Sequence, residues 1–152
     1  MKLLALIVGN QNILKYIYYI DSNNPISQPD VTQDLIENGN IILTPFNSEV
    51  LSEEKICMFI NVHEGNLKYQ PLSDIVILID VIIPIKKWLL NGLGQIRVFR
   101  IADEIAQLID QKNVAGIGQV EINNFRTYKV DNTYGGLTLW IKINSSSMKG
   151  LR

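Results

Sequence analysis

The sequence predicts an α+β fold, a four-stranded, mainly antiparallel sheet packed against two longer helices. Three observations predict it. Residues 96–112 carry apolar side chains at helical spacing, residues 75–83 are apolar on both faces of an extended chain, and residues 137–143 alternate with a period of two. The first pattern is an amphipathic helix, the second a strand covered on both sides, and the third a strand with one buried face. At 152 residues the chain has the size of one ordinary domain, able to bury roughly 70% of the surface its unfolded form exposes. Residues 1–144 read as that single domain, and residues 145–152 as a polar tail expected to be mobile.

Taken in order, residues 2–20 form a helix with Leu3, Ile7, Leu14 and Ile17 on one side. The apolar residues 3–9 resemble the start of a signal peptide. Asn10-Gln11-Asn12 interrupts them, no small-x-small cleavage site follows, and helical spacing resumes at Ile13, so the helix is the better reading. Asp21-Ser22-Asn23-Asn24-Pro25 is a turn. Pro29-Asp30 opens a short second helix with Val31, Leu35 and Ile36 inward, and Asn38-Gly39-Asn40 ends it. An extended stretch at residues 41–43 is limited by Pro45, and residues 46–54 are a loop. Strands follow over residues 55–62 and 75–83, joined as an antiparallel hairpin. In the second, Ile75, Ile77, Ile79, Val81 and Ile83 share one face, and Val76, Leu78 and Ile82 share the other with Asp80.

Pro84 closes that strand, and residues 86–94 form a connection containing Trp88 and two glycines. In the helix of residues 96–112, Val98, Ile101, Ala102, Ile105, Leu108 and Ile109 make the apolar stripe. Arg97, Arg100, Asp103, Glu104, Gln107 and Gln111 take the other side, with Arg100 and Glu104 one turn apart. Residues 117–123 and 127–130 make one strand with a bulge near Asn124. Residues 131–136 turn the chain, with Gly135-Gly136 as hairpin glycines, and residues 137–143 are the last strand.

Charge and cysteine usage narrow the function. Fourteen basic and 15 acidic residues leave a net charge of −1, without the concentrated positive surface that phosphate-driven nucleic-acid binding needs. Specific nucleic-acid binding is not expected. The apolar run at residues 75–85 is too short to span a bilayer as a helix and holds Asp80 and Pro84, so no membrane role is indicated. One cysteine, Cys57, permits no internal disulfide and sits in an apolar run where a thiol behaves as a small hydrophobe. His63 is the only histidine. With no second histidine or nearby cysteine it favours neither zinc nor a Cys-His pair, and no metal or cofactor is expected.

The remaining motifs have structural readings. Gly92-Leu93-Gly94 lacks the Gly-Lys-Ser/Thr ending of a phosphate loop and the third glycine of a dinucleotide fingerprint, so it serves a turn into the helix. Gly116-Ile117-Gly118 fits a helix-to-strand connection. Asp80 interrupts an apolar strand and needs a partner if buried. It lies near a sheet edge, or pairs with Arg97, Arg100 or Lys142, or marks a site. Trp140 lies on the sheet face opposite Leu139 and Ile141, together with Thr138 and Lys142, either covered by a helix or part of a contact surface. No nucleophile, acid–base pair or triad can be assembled, so an enzyme is not expected.

Residues 74–143 resemble a tail terminator or related neck (head–tail joining) protein of tailed bacteriophages. The resemblance is carried by the apolar strand at residues 75–84 and by Trp88. It continues through the arginine-bearing stretch Ile96-Arg97-Val98-Phe99-Arg100-Ile101-Ala102-Asp103-Glu104-Ile105 and Val114-Ala115-Gly116-Ile117-Gly118-Gln119-Val120. It ends with Gly135-Gly136-Leu137-Thr138-Leu139-Trp140-Ile141-Lys142-Ile143. It covers about half of the chain. It implies a structural virion protein, assembled in the host cytoplasm, that forms a homo-oligomeric ring, a hexamer or dodecamer. That ring would end tail-tube growth or join the tail to the connector, with other neck, connector and tail-tube proteins as partners. Such a ring uses heterologous contacts that close by rotation, and unpaired sheet edges supply them. The strand at residues 137–143, the region 123–127 and the loop 46–54 are the expected contact elements. The candidate contact residues are Arg97, Arg100, Asn123, Arg126, Trp140 and Lys142. Arg97 and Arg100 face a neighbouring subunit or the lumen, or simply solvate their helix.

Two other classes remain in view. One is a small cytosolic adaptor that adds a peptide strand to an exposed sheet edge. The other is an enzyme with a pocket around His63, Glu64 and Asp80.

Overall fold

The computed structural model describes residues 2–66, 73–90, 94–114 and 118–144. The expected mobile tail, Gly92, Leu93, Gly116, Ile117 and most of the loop between the first two long strands lie outside the described residues. The chain folds as a mixed α+β structure, with helices α1 (Lys2–Val8), α2 (Gln11–Tyr18) and α3 (Arg97–Ile109) on one face of a sheet.

The sheet strands are β1 (Ile41–Ile42), β2 (Cys57–Asn66), β3 (Ser73–Pro84), β6 (Asn113–Val114), β7 (Gly118–Lys129) and β8 (Tyr134–Asn144), in the spatial order β1-β2-β3-β8-β7-β6. A separate pair, β4 (Leu89–Leu90) and β5 (Gln95–Ile96), leads into α3. The expected four-stranded antiparallel sheet is therefore the central part of a wider one. β2, β3, β8 and β7 pair antiparallel, but β1 adds a parallel edge and β6 a second short one. Two-residue strands leave too little periodicity to be read from sequence.

The helix-facing side chains of the four long strands form the main core. Met58, Ile60, Ile77, Ile79, Val81, Ile83, Leu137, Leu139, Ile141, Ile143 and Val120 are buried there against Leu3, Ile7, Ile13, Ile17, Val98, Ile101, Ile105 and Ile109. Each such aliphatic side chain contributes roughly 1.5–3 kcal/mol when fully buried. The far face of β3 is covered at one end only, at Ile82 and by chain without helix. Val76 and Leu78 on that face stay half-buried, so the strand expected to be covered on both sides is covered on the second side in part. Ile42 of β1, with Phe46 and Leu51 from the segment after it, closes over Cys57, Phe59 and Ile82, with the Phe46 and Phe59 rings edge to face at 5.4 Å.

Four local expectations are corrected. The helix over residues 2–20 is two helices, because the Asn10 side chain accepts the Ile13 N–H at 3.1 Å and caps a new start at α2. The short second helix does not form. Turns occupy its place, Val31 and Leu35 are buried as expected, and Ile36 is exposed. Gly135 and Gly136 belong to β8 and not to the turn, which Asp131 builds by accepting the Thr133 and Tyr134 N–H groups. The glycines are needed because a Cβ at Gly135 would stand 2.8 Å from the Trp88 ring, and one at Gly136 2.7 Å from Ile82 and 2.8 Å from Tyr128.

The fourth correction concerns Arg97, expected on the exposed face of α3. It is 2% exposed, and all its hydrogen bonds go to backbone carbonyls. Nη1 donates to Tyr16 at 3.0 Å and Tyr19 at 3.3 Å, Nη2 to Ile20 at 3.1 Å and Ser22 at 2.9 Å, and Nε to Lys87 at 3.3 Å. These carbonyls include the exposed-by-geometry acceptors at the C-terminal end of α2, where the helix dipole is negative. Burial lowers the guanidinium pKa, and Tyr16 and Asp21 oppose that shift. Arg97→Ala is expected to destabilise the protein by roughly 3 kcal/mol or more, since several buried acceptors lose their donors at about 1–3 kcal/mol each. Arg97→Lys should fall between the two, because an ammonium has three donors against five. Urea unfolding of the three proteins checks the order.

Candidate functional site

Part of the outer edge of β7 is left without a paired strand among the described residues. Its first residues are covered: Asn113 and Val114 of β6 pair with Gln119 and Gly118, and Val120 exchanges hydrogen bonds with Gln111 and Lys112. The Ile122 N–H then donates to the Asp110 carboxyl at 2.9 Å. There the cover ends, at the bulge between Ile122 and Asn124. The predicted bulge is thus present, and it flips which residues point their backbone outward. At the far end the Val130 N–H donates inward to Tyr134, so alternation leaves the N–H and C=O groups of Phe125, Thr127 and Lys129 facing away from β8. No described strand pairs with them.

The side chains along this edge are mixed, with Thr127 and Lys129 beside apolar groups. Phe125 is 58% exposed and meets the exposed Phe99 of α3 edge to face, with centroids 6.2 Å apart. An open groove of about 560 Å³ lies alongside the end of β7, lined by Ile85, Trp88, Leu89, Thr127, Tyr128, Lys129 and Gly135. Leu89 is exposed there.

The candidate contact residues fall into three groups. Arg126, Trp140 and Lys142 lie on the sheet face away from the helices, as their registers opposite Thr138, Leu78 and Glu121 require. None of the described helices covers Trp140, which is half-buried. Asn123 is the exposed extra residue of the bulge on β7. Arg100 stays on the helix layer, donating to the Tyr16 hydroxyl at 3.3 Å and pairing with Asp103 at 3.5 Å; the expected Glu104 accepts from Asn12 instead. Arg97 is inside the fold and is not available to a partner. The strand of residues 137–143 is also not an edge, since β8 pairs with β3 on one side and β7 on the other.

Asp80 is 8% exposed and has hydroxyl partners, not one of Arg97, Arg100 or Lys142. The Tyr128 hydroxyl donates to its Oδ1 at 2.9 Å, and the Thr138 hydroxyl donates to the same oxygen. His63 is exposed on β2, four positions beyond Phe59, the register partner of Asp80, so the two are not brought together. Burial raises the Cys57 thiol pKa, which leaves it a poor nucleophile. Among the described residues, no group of three or more His, Cys, Asp or Glu side chains could hold a metal ion, and no helix is long and apolar enough to cross a membrane.

Sequence reasoning named neither Phe99 nor Phe125 as a contact residue, although the region 123–127 is among the expected contact elements and both residues break their local pattern. Phe99 is an aromatic outside the apolar stripe of its helix, and Phe125 stands within Asn123-Asn124-Phe125-Arg126-Thr127.

Fold and surface together define an α+β protein with helices on one sheet face and with stretches of β7 and of β2 left unpaired at the two sides of the sheet. A family model described as YomW matches residues 10–143. The chain therefore belongs to the YomW family, and the matched span runs from the cap of α2 into β8. No curated protein matches the sequence.

The Asp80 cluster yields a test. Burial pushes the Tyr128 phenol well above its usual 10, the field of Asp80 adding to this and the hydrogen bond with Thr138 opposing it. A raised folded-state pKa favours the protonated phenol, so this stability is present below pH 10 and is lost as pH rises toward the folded value. Tyr128→Phe should lose about 2 kcal/mol near neutrality and show a flatter decline than wild type above pH 10. Denaturant melts across pH measure both.

Proposed function

We propose that this YomW-family protein is a structural virion subunit that assembles with its own copies into a ring at the head–tail junction of a tailed phage. There it ends the tail or joins it to the connector. The observation that carries this reading is the unpaired β7 edge flanked by the exposed Phe99–Phe125 pair. A row of unsatisfied backbone groups is a template for another strand, and large exposed aromatics are typical interface anchors. Position at the head–tail junction rests on the resemblance of residues 74–143 to neck proteins. The reading needs no catalytic residue, metal or cofactor. Its partners are further copies of the chain and the neighbouring neck, connector and tail-tube proteins, and its place is the virion after assembly in the host cytoplasm.

The groove beside the same edge favours a second reading, an adaptor that adds a peptide strand to β7 and seats an apolar side chain between Ile85, Trp88 and Leu89. Oligomeric state separates the two. Native mass spectrometry over a concentration series, with and without purified tail tubes, should show a closed six- or twelve-fold species if the ring reading is right. Monomer under every condition would overturn it in favour of the adaptor.

A further inference from the structure

We propose that successive copies join edge to edge, with β7 of one copy pairing antiparallel to the outer half of β2 of the next in a staggered register, so that the sheet runs on through the interface. This rests on the ring reading and names the two surfaces that meet.

The second surface is at the opposite end of the sheet. β1 covers β2 only at Met58 and Phe59, yet β2 continues to Asn66. Val62 lies beyond that cover and is 60% exposed. The Met58 N–H points outward, donating to Asn40, so alternation turns the backbone groups of Val62 outward as well. Val62 pairs with Ile77, placing its side chain on the helix-bearing face. Phe125 pairs with Leu139 and lies on that same face.

Direction and face both fit. β2, β3, β8 and β7 alternate in direction, so β7 of one copy meets β2 of an identically oriented neighbour antiparallel. On each edge the residues with outward backbone groups carry helix-side side chains. Hydrogen-bonded pairing therefore keeps the helices of both copies on one side, and neither copy has to turn over.

Steric cover sets the register. Across the sheet, Met58 and Phe59 are level with Val81 and Asp80, then Leu137 and Thr138, then Thr127 and Arg126. A level join would drive the neighbour's β1 onto Arg126 and Thr127. Sliding the neighbour by about four residues, roughly 13 Å along the strand, carries β1 past the end of β7. Val62 then lies opposite Thr127 and diagonal to Phe125, within reach of its ring. Stagger of this kind is also what lets a strand array tilt and close.

Disulfide trapping tests the register. Opposed residues in a hydrogen-bonded antiparallel pair have Cα atoms about 5.5 Å apart, inside the range a disulfide spans. The Val62→Cys/Thr127→Cys variant should, on mild oxidation, give a covalent ladder ending at the ring's subunit number, while each single variant gives no ladder. Cys57 is buried and does not compete. Val62→Lys, at an exposed position, should fold normally and need at least a ~tenfold higher concentration for half-assembly, equivalent to about 1.4 kcal/mol. A ladder from Val62→Cys/Ile122→Cys, the level register, in place of the staggered pair would overturn the stagger. A wild-type ring with no ladder from either double variant would overturn edge pairing and leave the ring reading standing. A wild type that never assembles would overturn both.

Discussion

The buried guanidinium of Arg97 is the constraint on which the rest of the fold depends. It stands at the first residue of α3 and collects the carbonyls that end α2, the Ser22 carbonyl just after it, and that of Lys87 in the connection from β3. The end of α2, the connection from β3 and the start of α3 are thereby fixed to one planar group. An arginine can do this because its five donors are rigid and divergent, whereas carbonyl groups gathered without it would be buried and unsatisfied. Although the exposed Asp21 adds a favourable field, no buried carboxylate among the described residues pairs with the guanidinium. Its compensation is the carbonyl end of a helix, where partial negative charge is concentrated. With α2 held against α3, the helix layer has a fixed shape to present to the sheet.

The sheet answers this with two unlike faces. One is a continuous aliphatic surface under the helices. The other is closed only at one end, by Phe46 and its neighbours, and there the packing is close enough to exclude a Cβ from Gly136, while Trp88 excludes one from Gly135 on the helix side. Asp80 enters this second cluster as an acceptor for two hydroxyls. A carboxyl in that position restricts the register, because a one-residue slip of β3 would move it into the aliphatic core. Beyond the cluster, the same face is open around Trp140 and Lys142.

Much of this was legible in the residues. The long strands, the bulge near Asn124, and the helix at residues 96–112 follow from periodicities that burial alone imposes. Arg97 was misplaced for an instructive reason. It lies four residues before Ile101 and eight before Ile105, so strict helical spacing puts it on the buried stripe, but its charge argued for the outside. Only the location of the α2 carbonyls, which is a tertiary fact, reverses that judgement. The glycine pair was likewise read as a turn because sequence records the absence of a side chain and not which ring fills the space. The edge status of β7 over β8 could not be read at all, since strand order depends on how the long connections cross.

The placement of the open edges follows from these same features. β7 is covered up to Ile122 by the chain leaving α3, and the bulge then turns the strand free. β2 is covered by β1 only until the chain leaves toward Phe46, which it must do to close the second cluster. Each edge is thus left bare by a segment required elsewhere in the fold, and the two bare stretches lie at different heights on the sheet. The β7 edge carries a bulge together with Arg126 and Lys129, features that discourage indiscriminate edge pairing. Phe125 on that edge and Val62 on β2 are nevertheless exposed, on the same face. The offset between the covers excludes a level join and permits a staggered one. The fold's internal economy of cover thereby selects the geometry in which copies of the chain can meet.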